Sequence, residues 1–286
     1  MRNVISVLYA MPPAALKPLV ALVALVAAAT LPATARAEQP LWELGLGVGV
    51  VQLPHYRGSD QQHTWLLPVP YLVYRGEVFK ADREGPRAEL FNREPFQLDL
   101  SAAANAPTRS RDNRAREGMP DLAPTLELGP NLNWTLRRGP GWKLALRLPV
   151  RLSLALDSGL RTPGWIATPN LNLELRSAGG WNLGLQTGPV LTTRGLNAYF
   201  YDVDPAHATA SRPAYRAPGG YAGWTAMAAL SRRDGKRWLA GFVKYDQLGG
   251  AAFADSPLLR QRQQWSGGVA VSWVFAQSAT PAGSRP

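Results

Sequence analysis

Two short stretches hold the side chains that could do covalent chemistry. "PHYRGSDQQH" sets His55 and His63 on either side of Ser59 and Asp60. Serine, histidine and aspartate are the parts of a nucleophilic hydrolase, with the histidine as base and the carboxylate orienting it. Farther on, His207 follows Asp202 and Asp204, and a His–Asp pair can activate water. The same groups are metal-ligand types, but no further ligand at metal-site spacing accompanies His55, His63 and Asp60. No Gly-x-Ser-x-Gly elbow occurs anywhere in the chain, and exposed loops are rich in Ser, Asp and His without being catalytic. The expectation is no catalytic residue, no cofactor and no metal. A surface enzyme remains as a third reading, one that would lose activity with His55→Ala or His207→Ala.

A second kind of chemistry is electrostatic. "TRSRDNRARE", Thr108 to Glu117, carries Arg109, Arg111, Arg114 and Arg116 against Asp112 and Glu117. Four guanidinium groups can pair with lipopolysaccharide phosphates, or they can belong to a solvated loop. "GLGVGV" at 45–50 opens no helix, so it is strand glycine rather than a phosphate loop.

The formal charge is +11, which by itself would suggest a nucleic-acid partner. The first 37 residues point elsewhere. Arg2 and Lys17 are the only early charges, Leu19 to Ala29 is apolar, and Ala35-Arg36-Ala37 is a small-x-small cleavage pattern. This reads as a secretory signal over 1–37, starting at Met1 or Met11. The mature chain would keep 28 basic and 20 acidic residues, a charge of +8. An exported chain meets lipopolysaccharide, peptidoglycan or anionic solutes, not nucleic acid. The absence of cysteine excludes a disulfide framework and a thiolate metal site.

What elements would position these groups? In "WKLALRLPVRLSLALD" every even position from Trp142 to Leu156 is apolar, while Lys143, Arg147 and Arg151 share the odd face. A helix would scatter the leucines and carry Pro149 in its middle. A strand puts all eight apolar side chains on one side. About fifteen residues is long for a soluble strand. The pattern recurs near 41–52, 64–74, 77–83, 86–91, 95–105, 122–136, 142–156, 164–177, 181–193, 220–232, 236–247 and 264–275.

The connections mostly alternate, with the link between the third and fourth segments as the exception. Short ones fall at 75–76, 92–94, 137–141, 178–180 and 234–235; long ones fall at 53–63, 106–121, 157–163, 194–219 and 248–263. Short turns at one end and long loops at the other describe an all-β transmembrane antiparallel β-barrel of about 12 strands in the outer membrane. The short turns and both termini would be periplasmic. The barrel would occupy 38–276, with a disordered tail over 277–286. Its outer face would meet lipid, and its lumen would gather Glu127, Arg137, Lys143, Arg147, Arg151, Glu174 and Arg176 into cross-strand ion pairs.

Three stretches carry a family resemblance. The first has Pro54, Tyr56, Gly58, Ser59 and Asp60, followed by Pro68, Pro70, Tyr71, Tyr74 and Gly76. The second is "NAYFYDVDPAHATASRPAYRAPGGY" at 197–221. The third runs from Tyr245 through Asp255, Ser256 and Pro257 to the last strand. Together they resemble the MipA/OmpV family of outer-membrane proteins, the MltA-interacting proteins, over nearly the whole mature chain. The resemblance implies a scaffold linking a lytic transglycosylase to a murein synthase, with no catalytic residues to carry over. The alternative is a narrow channel for small or anionic solutes. One departure is that Phe275 is followed by "AQSATPAGSRP", whereas outer-membrane strands usually end the chain on an aromatic residue.

Overall fold

The computed structural model describes residues 40–75, 79–82, 85–157 and 159–280, with backbone alone for 75, 79–82 and 85–92. The expected signal peptide with Ala35 and Ala37, the turn residue Gly76 and the last residues 281–286 lie outside the described residues.

The strands are β1 (Trp42–Pro54), β2 (Gln62–Arg75), β3 (Phe79–Asp82), β4 (Gly85–Arg93), β5 (Phe96–Asn105), β6 (Thr125–Gly139), β7 (Trp142–Ala155), β8 (Arg161–Ala167), β9 (Asn170–Arg176), β10 (Trp181–Thr192), β11 (Gly220–Asp234), β12 (Arg237–Gln247) and β13 (Gln263–Gln277). One helix, α1 (Arg194–Tyr201), lies in the long loop before β11. All thirteen strands belong to one sheet. Successive strands pair antiparallel, except that β8 and β9 each pair with β7 and β10, and β13 pairs with β1 over Glu43–Gln52. Followed in order, the pairings return to their start. No described helix is long and apolar enough to cross a membrane.

The segment expected as one strand at 164–177 is two. β8 and β9 flank Thr168-Pro169 and both pair with β7 and β10. Pro169 has no N–H for the ladder, so the strand breaks there. Gln277 to Thr280 were expected to belong to a disordered tail. The Ser278 N–H donates to the Trp42 carbonyl and the Leu41 N–H to the Thr280 carbonyl, so Gln277 to Thr280 stay beside β1.

The alternation seen in the sequence is the alternation of the wall. Leu46 is 55% exposed on the outer face, Val269 57% and Phe275 70%. Fully burying one such side chain is worth about 1.5–3 kcal/mol, so an outer face carrying many of them disfavours water and favours lipid. The inner face divides in two. From β11 through β13 to β2 it is mostly small or apolar, with Ala229, Ala240, Phe242, Ala270 and Val69. From β5 to β10 it is polar, with buried Asp99, Asn131, Glu127 and Asn172.

Candidate functional site

The polar half of the lumen carries a paired charge network. Arg151 Nε donates to Glu127 Oε2 at 3.1 Å, and Asn105 Nδ2 donates to Oε1 of the same carboxylate at 3.1 Å. Arg147 reaches Glu174 at 2.8 Å and Lys143 reaches it at 3.4 Å. Asp99 accepts from Asn131 and Asn133 at 2.9 and 2.7 Å. Five of the charges expected there therefore meet inside. Arg176, 3.9 Å from Glu174, keeps an exposed side chain. Arg137 departs from the expectation. A bulge at Thr135/Arg137 sets it opposite the outward-facing Leu144, exposed beside the turn to β7. Near the short-turn end Arg233 pairs with Glu43, and both bond the Tyr71 hydroxyl. This cluster joins β11 to β1 and β2 across the lumen.

At the other end the long loops interlock into a cap. Its core is Tyr56, Leu122, Tyr201, Val203, Leu248, Phe253 and Leu258, contributed by four separate loops. Tyr56 Oη donates to the Leu258 carbonyl at 2.8 Å, and Tyr201 Oη donates to the Arg57 carbonyl at 2.7 Å. Ser256 Oγ donates to the Tyr201 carbonyl at 2.8 Å. Gln264 clasps the first loop, accepting from the Gly58 N–H and donating to the Ser59 carbonyl. Burial pushes the Tyr56 hydroxyl up to about 12. Arg116 was expected as a solvated or phosphate-binding cation. Instead it is buried at 3% exposure, donating to the Phe200 and Pro120 carbonyls. Arg109 and Arg111 do face outward, and Arg114 pairs with Asp60 at 3.3 Å.

The candidate hydrolase residues are cap residues. Asn113 Oδ1 accepts from the Ala115 N–H, so its Nδ2 donates both to Ser59 Oγ at 3.0 Å and to His55 Nδ1 at 3.1 Å. His55 Nδ1 is then an acceptor, and the ring is held neutral. Ser59 is fully buried, and its hydroxyl bonds the Gln61 carbonyl. Asparagine lies between histidine and serine, so the histidine cannot take the serine's proton. His63 packs against Trp65, with ring centroids 4.3 Å apart and planes tilted by 52°. Asp202 is bound by the Ala217 N–H, Arg194 and Arg216, while Asp204 caps the turn that carries His207. Among the described residues no group of three or more His, Asp or Glu is placed to hold a metal ion.

The motif residues thus sort by position. Pro54, Tyr56, Gly58, Ser59, Asp60, Asp255, Ser256 and Pro257 belong to the cap or its base. Pro68, Pro70, Tyr71 and Tyr74 lie on β2, and Tyr245 sits on the outer face of β12, 4.8 Å from Trp265. The cap core was not foreseen. Its signal was an excess of apolar residues in long loops, in "AYFYDV" and "AAFADSPLL", too greasy for solvated connections.

Two cavities lie inside. One of about 490 Å³ sits under the cap and one of about 600 Å³ sits toward the short turns, and both are lined by Gln186, Met227 and Phe242.

A family model described as MltA-interacting protein MipA matches residues 46–275. No curated protein matches the sequence. Among solved structures the chain is similar to the CymD monoaromatic hydrocarbon channel, at 10% identity and a TM-score of 0.35, over 84% of this chain and 90% of that one. It is similar to outer membrane phospholipase A from Escherichia coli at 10% identity and a TM-score of 0.33, over 85% and 94%. It is also similar to a Pseudomonas aeruginosa FadL homologue at 10% identity and a TM-score of 0.31, over 82% and 88%.

Proposed function

The chain belongs to the MltA-interacting protein MipA family, and from that premise we propose that it is a closed outer-membrane β-barrel acting as a non-enzymatic scaffold for murein turnover. The partners are a lytic transglycosylase and a murein synthase, docked at the periplasmic, short-turn end. The cap is extracellular, where Arg109 and Arg111 meet lipopolysaccharide phosphates. Family membership and the apolar outer belt support the outer-membrane location. The observation that carries the scaffold reading is the cap itself. Four loops share one buried core and hydrogen-bond across one another, which is poor design for an open pore and good design for a rigid anchor. The buried, fully engaged Ser59 supports a non-enzymatic role.

The test is a binding measurement with the purified barrel in detergent and an MltA-type lytic transglycosylase. Retention of the transglycosylase above a control barrel is the expected result. No retention under conditions where the barrel is folded sinks the scaffold reading. The second reading, a narrow channel, is favoured by the two abutting cavities beneath the cap. It predicts single-channel conductance in planar bilayers, changed in ion preference by Arg147→Glu and Arg151→Glu.

A further inference from the structure

The wall is not of even height. Between Arg75 at the end of β2 and Phe96 at the start of β5 the chain has only 20 residues. They supply a β3 of 4 residues and a β4 of 9, beside a β2 of 14 and a β6 of 15. At about 3.3 Å per residue, no arrangement of so short a connection builds two more strands of full height. The pairing reflects this. Among the described residues β2 meets β3 only at Tyr74 and Arg75, and β5 meets β4 only from Phe96 to Leu100. Above those points, among the described residues, β2 is paired with β1 alone, and Ser101–Asn105 of β5 with β6 alone. A notch is left between β2 and β5 on the long-loop side. Pro68 and Pro70 fall on this stretch of β2, as suits a strand with a free edge.

The notch leads into the lumen. Leu67 and Val69 of β2 line the 600 Å³ cavity, and Ala103 and Asn105 of β5 line the 490 Å³ cavity. Leu67 faces inward yet stays 43% exposed. The cap stands at the long-loop end of the lumen and the Arg233–Glu43–Tyr71 cluster toward the short-turn end. Unpaired backbone at membrane depth is tolerated only where it lines a water-filled cavity, so the free edges must be solvated from inside.

What would enter is set by the cavity. Ala240, Phe242, Ala270 and Val69 form an apolar side. Asn172 of β9 and Trp238, on the same face of β12 as Ala240, also line it. Glu174 nearby is already engaged by Arg147 and Lys143. A cavity with such an apolar side fits a small, mainly apolar molecule. The geometry points to a lateral portal between β2 and β5, through which a small, mainly apolar molecule passes between the bilayer and the lumenal cavity sided by Val69, Ala240, Phe242 and Ala270. This goes beyond the scaffold reading and stands or falls separately from it.

The chain has no cysteine, so a single introduced thiol reports its own accessibility. Ala240→Cys places one in the lumen, and Val269→Cys places one on the lipid face as a control. In proteoliposomes, a pyrene maleimide dissolved in the bilayer should label the Ala240→Cys protein about tenfold faster than a sulfonated, membrane-impermeant maleimide, because the charged reagent cannot cross the apolar belt. N-phenyl-1-naphthylamine, an apolar amine, should protect the lumenal thiol. Filling the portal with Leu67→Trp and Ala103→Trp should slow lumenal labelling and leave the Val269→Cys control unchanged. That control also shows that the filled barrel is folded and inserted. Equal labelling by the impermeant reagent overturns the proposal. So does lumenal labelling that neither the filled portal nor the amine slows.

Discussion

Tyr201 lies flat on Phe253, with ring centroids 3.7 Å apart and planes 9° apart. The two rings come from different loops, and the Tyr201 hydroxyl reaches a third loop at the Arg57 carbonyl. The contact ties these segments together beside the Ser256 Oγ bond to the Tyr201 carbonyl. Tyr201→Ala removes a wholly buried ring, and such truncations cost about 3–5 kcal/mol. Because the cap core is built from loops and not from the strands, this should open the cap and spare the wall. Limited proteolysis should cut within 194–219 far faster in the variant, while the barrel keeps its heat-resistant migration on gels. If the channel reading holds, the same variant should raise conductance. Unchanged proteolysis would mean that the rings carry no load.

Acid should loosen the same cap through His55. Burial, and then the neighbouring His63, hold its pKa below the usual 6.5, while Asp112 and Asp60 pull weakly the other way. Its Nδ1 accepts from Asn113, so a proton there sets donor against donor. For a histidine with a lowered folded pKa, the stabilising contribution is complete above 6.5. It is lost as pH falls through the window below that value, because the unfolded loop takes up a proton first. Cap proteolysis should rise between pH 7 and pH 5. A His55→Gln variant with the same pH profile as the native protein would rule this group out.

Gly58 is a backbone case. Its φ is +87°, and an added Cβ would stand 2.1 Å from Leu259 Cδ1 and 3.1 Å from Leu248 Cδ1. Gly58→Ala thus combines left-handed strain with overpacking, together on the order of 1–3 kcal/mol. The N–H of Gly58 donates to Gln264 and its carbonyl accepts from Arg260 and Gln261, so a shift here would be felt in both loops. Hydrogen exchange at the amides of Arg260 and Gln261 should speed up. If those amides keep native protection, the leucines have moved aside at little cost.

How much of this was legible in the sequence follows from where period and contact each rule. Wall strands alternate, so Leu144, Leu146 and Leu148 declared their face, and Lys143, Arg147 and Arg151 declared the opposite one. One extra residue defeats that logic, as the bulge beside Arg137 shows. The cap has no period. Arg116 looked like one arginine among four, and only contacts to Phe200 and Tyr56, far away in the chain, make it a buried anchor. His55, Ser59 and Asp60 looked like a reactive set because spacing carries no orientation. Asn113, more than fifty residues downstream, decides what the histidine can do.

Arg151 and Glu127 let the lumen network be tested without the cap. Their side chains are 14% and 8% exposed, so each charge relies on the other more than on water. Removing one partner of such a buried pair leaves an uncompensated charge and costs about 3 kcal/mol, less if lumenal water relaxes around it. Arg151→Glu should be worse than Arg151→Gln, because it sets like charges side by side on neighbouring strands. The exchanged pair Arg151→Glu with Glu127→Arg should recover most of the loss. Urea midpoints of the barrel folded into short-chain lipid vesicles would measure all three. Equal midpoints for the single and exchanged variants would mean that water, not Glu127, neutralises Arg151, and the ion pair would then contribute geometry without stability.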